Sequence, residues 1–158
     1  MYRQKSYLLN LIEAAFKDVT LEDGVSLHEA DVIDNYGSAE ERLAARRPDE
    51  KEDWHRLDKN ELERMPWVLS FYDAKGLHFH LPAYLTMAVE DHTQAAVDSL
   101  LFTLCYESEY NHERLSILSK RQRKAVRHVL KFVRHNTGRD YEWDHTRIDQ
   151  ALRGFWAG

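Results

Sequence analysis

The sequence predicts a mainly α-helical fold with one small β-hairpin: about seven helices around a hairpin–helix centre, in a single domain over residues 1–158. Three observations carry that expectation. Capping signals of the Ser/Asp-x-x-Glu/Gln type open amphipathic stretches at Ser26, Ser38, Asp58 and Ser119. Alternating apolar residues flank Asp73-Ala74-Lys75-Gly76, a tetrapeptide suited to a tight turn. Beyond it, Pro82 introduces a run that is apolar on nearly every side, the pattern of a central helix.

A first helix from about Arg3 to Asp18 places Leu8, Leu11, Ile12, Ala15 and Phe16 on one face. Asp23-Gly24 makes a turn, and the box Ser26-x-x-Glu29 starts a short helix to about Asn35. Ser38-x-x-Glu41 opens another, closed by Pro48, and Asp58-x-x-Glu61 a third that stops before Pro66. The predicted hairpin pairs Phe71 with Phe79 and Leu69 with Leu81, so that His78 and His80 share the other strand face with Ser70 and Tyr72. Pro82 then stands at the first position of a helix to about Asp91. Gln94 to Tyr106 reads as a helix, or as a strand through its Leu-Leu-Phe-Thr-Leu run, and Glu107 to Asn111 as a polar linker. Ser119 opens an amphipathic helix to about His135, with Ala125, Val126, Val129, Leu130 and Val133 inward and Lys120, Arg121, Arg123, Lys124, Arg127, Lys131 and Arg134 outward. The last helix begins after Asp144, with Trp143 and Ile148 spaced for a hydrophobic staple.

Hydrophobic residues at 43% beside 31% charged ones describe a soluble globular chain. Cys105 is the single cysteine, so no intramolecular disulfide can form and a reducing, cytoplasmic setting is expected. Leu8 to Phe16 is too short and too polar for a signal peptide or a membrane span. The net charge of −5 conceals an asymmetry. Residues 22–113 hold 21 acidic and 8 basic side chains, a balance of −13, whereas residues 114–158 hold 4 acidic and 11 basic, a balance of +7. Such fields steer charged partners.

The stretch from Val25 to Tyr36 with the preceding Asp23-Gly24, the segment Arg46 to Trp54, and above all Phe71 to Tyr84 (FYDAKGLHFHLPAY) resemble an uncharacterised bacterial domain family of unknown function. The Leu118–Val126 and Ala151–Trp156 stretches fit it too, so the likeness covers nearly the whole chain. The resemblance implies no activity, cofactor or catalytic residue. The family pattern has arginine and tyrosine where this chain carries His78 and His80, so it assigns those two no role.

Three functional readings follow. The acidic half points to a non-enzymatic protein–protein interaction domain, with Glu40, Glu41, Asp49, Glu50, Glu52 and Asp53 presented to a basic partner. Its sharpest version is an immunity-like protein that neutralises a cationic toxin or nuclease. The alternative is a metal site or metal-dependent enzyme built on His78 and His80, which share a face if they lie on a strand. That strand supplies only Ser70 and Tyr72 as neighbours, poor ligands, so no cofactor is expected. No nucleophile–base–orienter set stands out, which points away from an enzyme. The basic helix from Lys120 to Arg134 raises nucleic-acid binding as a third reading; a pI near 6.0 and a face without aromatics weigh against it.

Overall fold

The computed structural model describes residues 2–138 and 142–158, with side chains detailed from Gln4 onward and, in the last segment, from His145. Among them the chain is all helix, with no strand: α1 Tyr2–Ala15, α2 Leu27–Asp34, α3 Ala39–Arg46, α4 Lys59–Arg64, α5 Ala74–Glu90, α6 Ala95–Cys105, α7 Glu109–Leu115, α8 Lys120–Asn136 and α9 Glu142–Arg153. Short 3-10 helices occupy Trp54–Arg56 and Pro66–Ser70. The staple expected at Trp143 falls outside the described side chains.

The predicted β-hairpin is absent, and the reason is local. Asp73 is the N-cap of α5: its Oδ1 accepts from the Gly76 amide at 2.8 Å and from the Val25 amide at 2.9 Å. The tetrapeptide read as a turn between strands is therefore the first turn of a helix, one that the Asp-x-x-Gly spacing starts as a Ser box would. The incoming half, Pro66–Ser70, curls into a 3-10 helix with proline at its start. Pro82 is interior to α5 rather than first in it. It denies the His78 carbonyl its usual amide partner, an omission tolerated because packing surrounds the helix on every side.

That packing also explains the misleading alternation. Of the 17 residues of α5, 12 are buried, from Gly76 through Val89, so no polar face marks a helical period. α5 is the core element, in contact with α1, α4, α6, α7, α8 and the 54–56 turn. Leu77, Phe79, Leu81, Tyr84, Leu85 and Ala88 pack there with Phe16, Leu62, Leu69, Val97, Leu100, Val129 and Trp156.

Two features of the sequence pattern acquire structural jobs. Gly24 crosses the first turn of α5: a Cβ on it would stand 2.6 Å from the Gly76 amide nitrogen, and one on Gly76 would stand 2.5 Å from the Val25 carbonyl oxygen. The two glycines let one backbone lie on another. Glu29, buried in α2, receives Arg42 at 3.0 Å and Arg46 at 3.4 Å from α3 while accepting from the Ser26 amide at 3.1 Å. Arg46 continues to the carbonyls of Gly24 and Glu22, fastening the α2–α3 pair to the crossing point.

The stretch read as a polar linker, Glu107 to Asn111, instead starts α7, capped by the Ser108 hydroxyl, which accepts from the Asn111 amide. Arg114 on α7 is buried at 5% exposure. Its guanidinium donates to the carbonyls of Leu69 (2.8 Å) and Tyr72 (3.0 Å) and to Asn111 Oδ1 (2.7 Å). A cation thus closes the C-terminal end of the 66–70 turn, where free carbonyls concentrate negative potential.

Candidate functional site: an acidic groove around His28

α3 ends at Arg46 and the chain turns at Pro48 into a loop curled around Lys51. The Lys51 ammonium donates to the carbonyls of Arg46 (3.0 Å), Arg47 (3.1 Å) and Asp49 (2.7 Å), so this cation is consumed in holding the loop. The curl brings Asp49 against the first turn of α2. Asp49 Oδ2 accepts from the His28 amide at 2.7 Å, which makes it a distant cap for an α2 orphan amide. Asp49 Oδ1 lies 2.5 Å from His28 Nδ1, and Glu61 Oε1 from α4 lies 3.1 Å from Nε2.

The result is a groove of about 520 Å³, floored by Leu27 and Leu57 and rimmed by Asp49, Glu50, Glu52, Asp58 and Glu61, with His28, Lys51 and Arg56 among them. An imidazole facing a carboxylate at each nitrogen satisfies both only as the doubly protonated cation. Burial opposes that charge, but the Asp49 and Glu61 carboxylates outweigh it and raise the His28 pKa above its ordinary 6.5. The groove therefore carries its own counterion. Glu50 Oε2 caps the amides of Glu52 and Asp53 at 3.1 Å each, and Asp58 caps α4 through the Asn60 amide at 2.9 Å. The Glu52 carboxylate has neither hydrogen bond nor ion pair among the described residues and faces solvent.

Of the acidic residues singled out in the sequence, the fold brings Asp49, Glu50 and Glu52 to this groove. Glu40 and Glu41 sit exposed on the first turn of α3, outside its lining, with Glu41 engaged in the Ser38 capping box. Asp53 turns away and binds His55 Nδ1 at 2.7 Å. His55 is itself held between two carboxylates, with Glu13 Oε2 2.7 Å from Nε2, and stacks 3.7 Å from the Trp54 ring.

His78 and His80 part company. Positions i and i+2 share a face on a strand but lie some 200° apart around a helix. His78 Nε2 donates to Gln122 Oε1 on α8 at 3.0 Å. His80 Nδ1 donates to the Gly76 carbonyl at 2.6 Å, and its ring stacks on Tyr72 at 4.2 Å. Burial pushes the His80 pKa down to about 4 and that of His78 below its ordinary value. Among the described residues no three His, Cys, Asp or Glu side chains gather as a group able to hold a metal ion.

Sequence reasoning missed His28, Asp58 and Glu61. One signal pointed at His28: a side chain that becomes cationic in the first turn of a helix opposes the macrodipole and needs carboxylates nearby. Their identity is a matter of long-range folding, since Asp49 is 21 and Glu61 33 residues away.

A model of a family of unknown function, DUF6714, matches residues 4–158. The chain belongs to that family. No curated protein and no solved structure matches it. No helix among the described residues is long and apolar enough to cross a membrane.

Proposed function

We propose that the chain is a protein–protein interaction domain whose acidic groove takes a lysine- or arginine-bearing segment of a cationic partner. An immunity-like role towards a basic toxin or nuclease is the specific form of the proposal. The observation that supports it is the gathering of Asp49, Glu50, Glu52, Asp58 and Glu61 around one cleft while the neighbouring cations are turned to internal tasks. Arg42 and Arg46 are bound to Glu29 and Lys51 to carbonyls, so the field over the groove is that of its carboxylates, offset in part by His28 and Arg56. Such a field speeds encounter with a basic surface and selects against acidic ones.

The test is titration calorimetry of the full chain with a basic toxin nuclease domain at rising ionic strength. Affinity should fall as salt rises, and the Glu52→Lys, Glu61→Lys double variant should bind at least about tenfold more weakly. Affinity indifferent to both salt and charge reversal rejects the reading.

A further inference from the structure

The outer face of α8 is the molecule's second concentration of charge, and most of it has no counter-charge among the described residues. Lys120, Lys124, Arg127 and Lys131 follow at i, i+4, i+7 and i+11, a stripe about 16 Å long at 1.5 Å per residue, with Arg121 beside it. Despite the surplus of carboxylates elsewhere, Lys120, Arg121, Lys124 and Lys131 have no ion pair or hydrogen bond among the described residues. The contrast lies on the same helix, where Arg134 pairs with Asp149 at 3.0 Å and Arg123 rests over the Phe155 and Trp156 rings.

The placement costs stability. Lys120, Arg121 and Arg123 occupy the first turn of α8, which holds no acidic residue, and cations there oppose the positive end of the helix dipole. A surface shaped only for solubility would favour carboxylates at that end. The local potential is strong enough to register on His128, whose pKa is held below its ordinary value by burial first and then by Arg127, Lys131 and Lys124.

The outer face of α8 lacks an aromatic ring of its own, since Phe132 is buried, and α1 supplies one. Tyr7, 52% exposed, meets His128 edge-on with ring centroids 6.1 Å apart. An open aromatic ring beside a row of unpaired cations is the pairing that single strands use: phosphates track the charges and a base stacks on the ring. A membrane surface fits poorly, because the apolar residues of α8 that would enter lipid, Val126, Val129, Leu130 and Val133 among them, are buried in the core.

We propose that the outer face of α8, with Tyr7 from α1, binds the sugar–phosphate backbone of a single-stranded nucleic acid. This face is separate from the acidic groove, since α8 packs on α1, α5 and α9, none of which lines it.

Fluorescence anisotropy of the full chain with labelled twenty-nucleotide oligo(dT) and oligo(U) tests the proposal. Binding is expected at low salt, with log K falling against log salt at a slope of about −3 for four neutralised phosphates. The Lys124→Glu, Lys131→Glu double variant, both positions exposed, should weaken binding at least tenfold and flatten the slope. Tyr7→Ala should weaken it about fivefold or more at an unchanged slope, the mark of lost stacking rather than lost charge. Preference for one oligonucleotide assigns the strand chemistry, DNA or RNA. No binding at low salt, binding unaffected by the double variant in a circular-dichroism-matched sample, or equal binding of a polyglutamate peptide overturns the proposal. The last of these would give the face to an acidic protein instead.

Discussion

His28 and His80 carry the same imidazole into opposite surroundings. His80 is fully buried in α5 between Tyr72 and Phe79; Nδ1 is bound to the Gly76 carbonyl and Nε2 has no hydrogen-bond partner among the described residues. Among the described residues no carboxylate is hydrogen-bonded to it, so desolvation prevails over the more distant Asp49 and Asp73 and lowers the pKa to about 4. His28 stands at the rim of a groove between two carboxylates, which overcome its partial burial and favour the cation. His78 follows the first pattern and His55 the second. Sequence alone would give all four the same proton near neutral pH. Whether an opposite charge comes within hydrogen-bond reach decides which way each moves.

The comparison can be broken first at Arg114, a buried cation with no neutral form to fall back on. Arg114→Leu leaves the Leu69 carbonyl and Asn111 Oδ1 without the guanidinium and the Tyr72 carbonyl with only the Tyr110 hydroxyl at 3.5 Å, and should cost about 3 kcal/mol in urea unfolding at pH 7. A loss below about 1 kcal/mol would mean that water replaces the guanidinium and that the interior is wetter than His80 implies.

His80 gives the next largest effect. Its folded pKa lies below the unfolded 6.5, so its contribution is complete above that value and is lost progressively as pH falls towards about 4. Between pH 8 and pH 5 that amounts to about 2 kcal/mol of unfolding free energy. His80→Phe keeps an aromatic ring against Tyr72 and removes the titration, so its stability should change less over the same interval. An acid limb identical in the variant would assign the loss to other groups.

The smallest effect has the opposite sign. The folded pKa of His28 is raised, so its contribution is full below about 6.5 and disappears as pH rises through the folded value. His28→Gln should lose less than about 1 kcal/mol at pH 5.5, as befits a partly solvated pair, and almost nothing at pH 9. Equal losses at both pH values would show that the ring supports the groove by packing rather than by charge.

What the sequence disclosed follows the reach of the interactions involved. Capping signals at Ser38 and Ser119 work within three residues, and both boxes are present where the pattern placed them. α8 was legible because one side is solvated and the helical period survives. α5 was not, because burial on all sides erased that period and left Leu77, Phe79 and Leu81 alternating with two histidines like strand residues. α7 escaped notice because Asn111 and Arg114, polar by composition, are among the residues it buries. The groove was half legible: Asp49, Glu50 and Glu52 form a visible acidic run, while His28 and Glu61 join it only through folding.

α5 touches five other α-helices and the 54–56 turn, and this ties its opening to theirs. Detaching any one neighbour would wet part of a helix whose faces are nearly all apolar, so partial unfolding gains little over complete unfolding. The backbone amides of α5 are accordingly expected to exchange with solvent deuterium only through global opening. Those of α3, which packs chiefly on α2, should exchange through local opening at far lower free energy. A partner seated in the groove would slow exchange at the α2–α3 end and leave the α5 amides at their global limit.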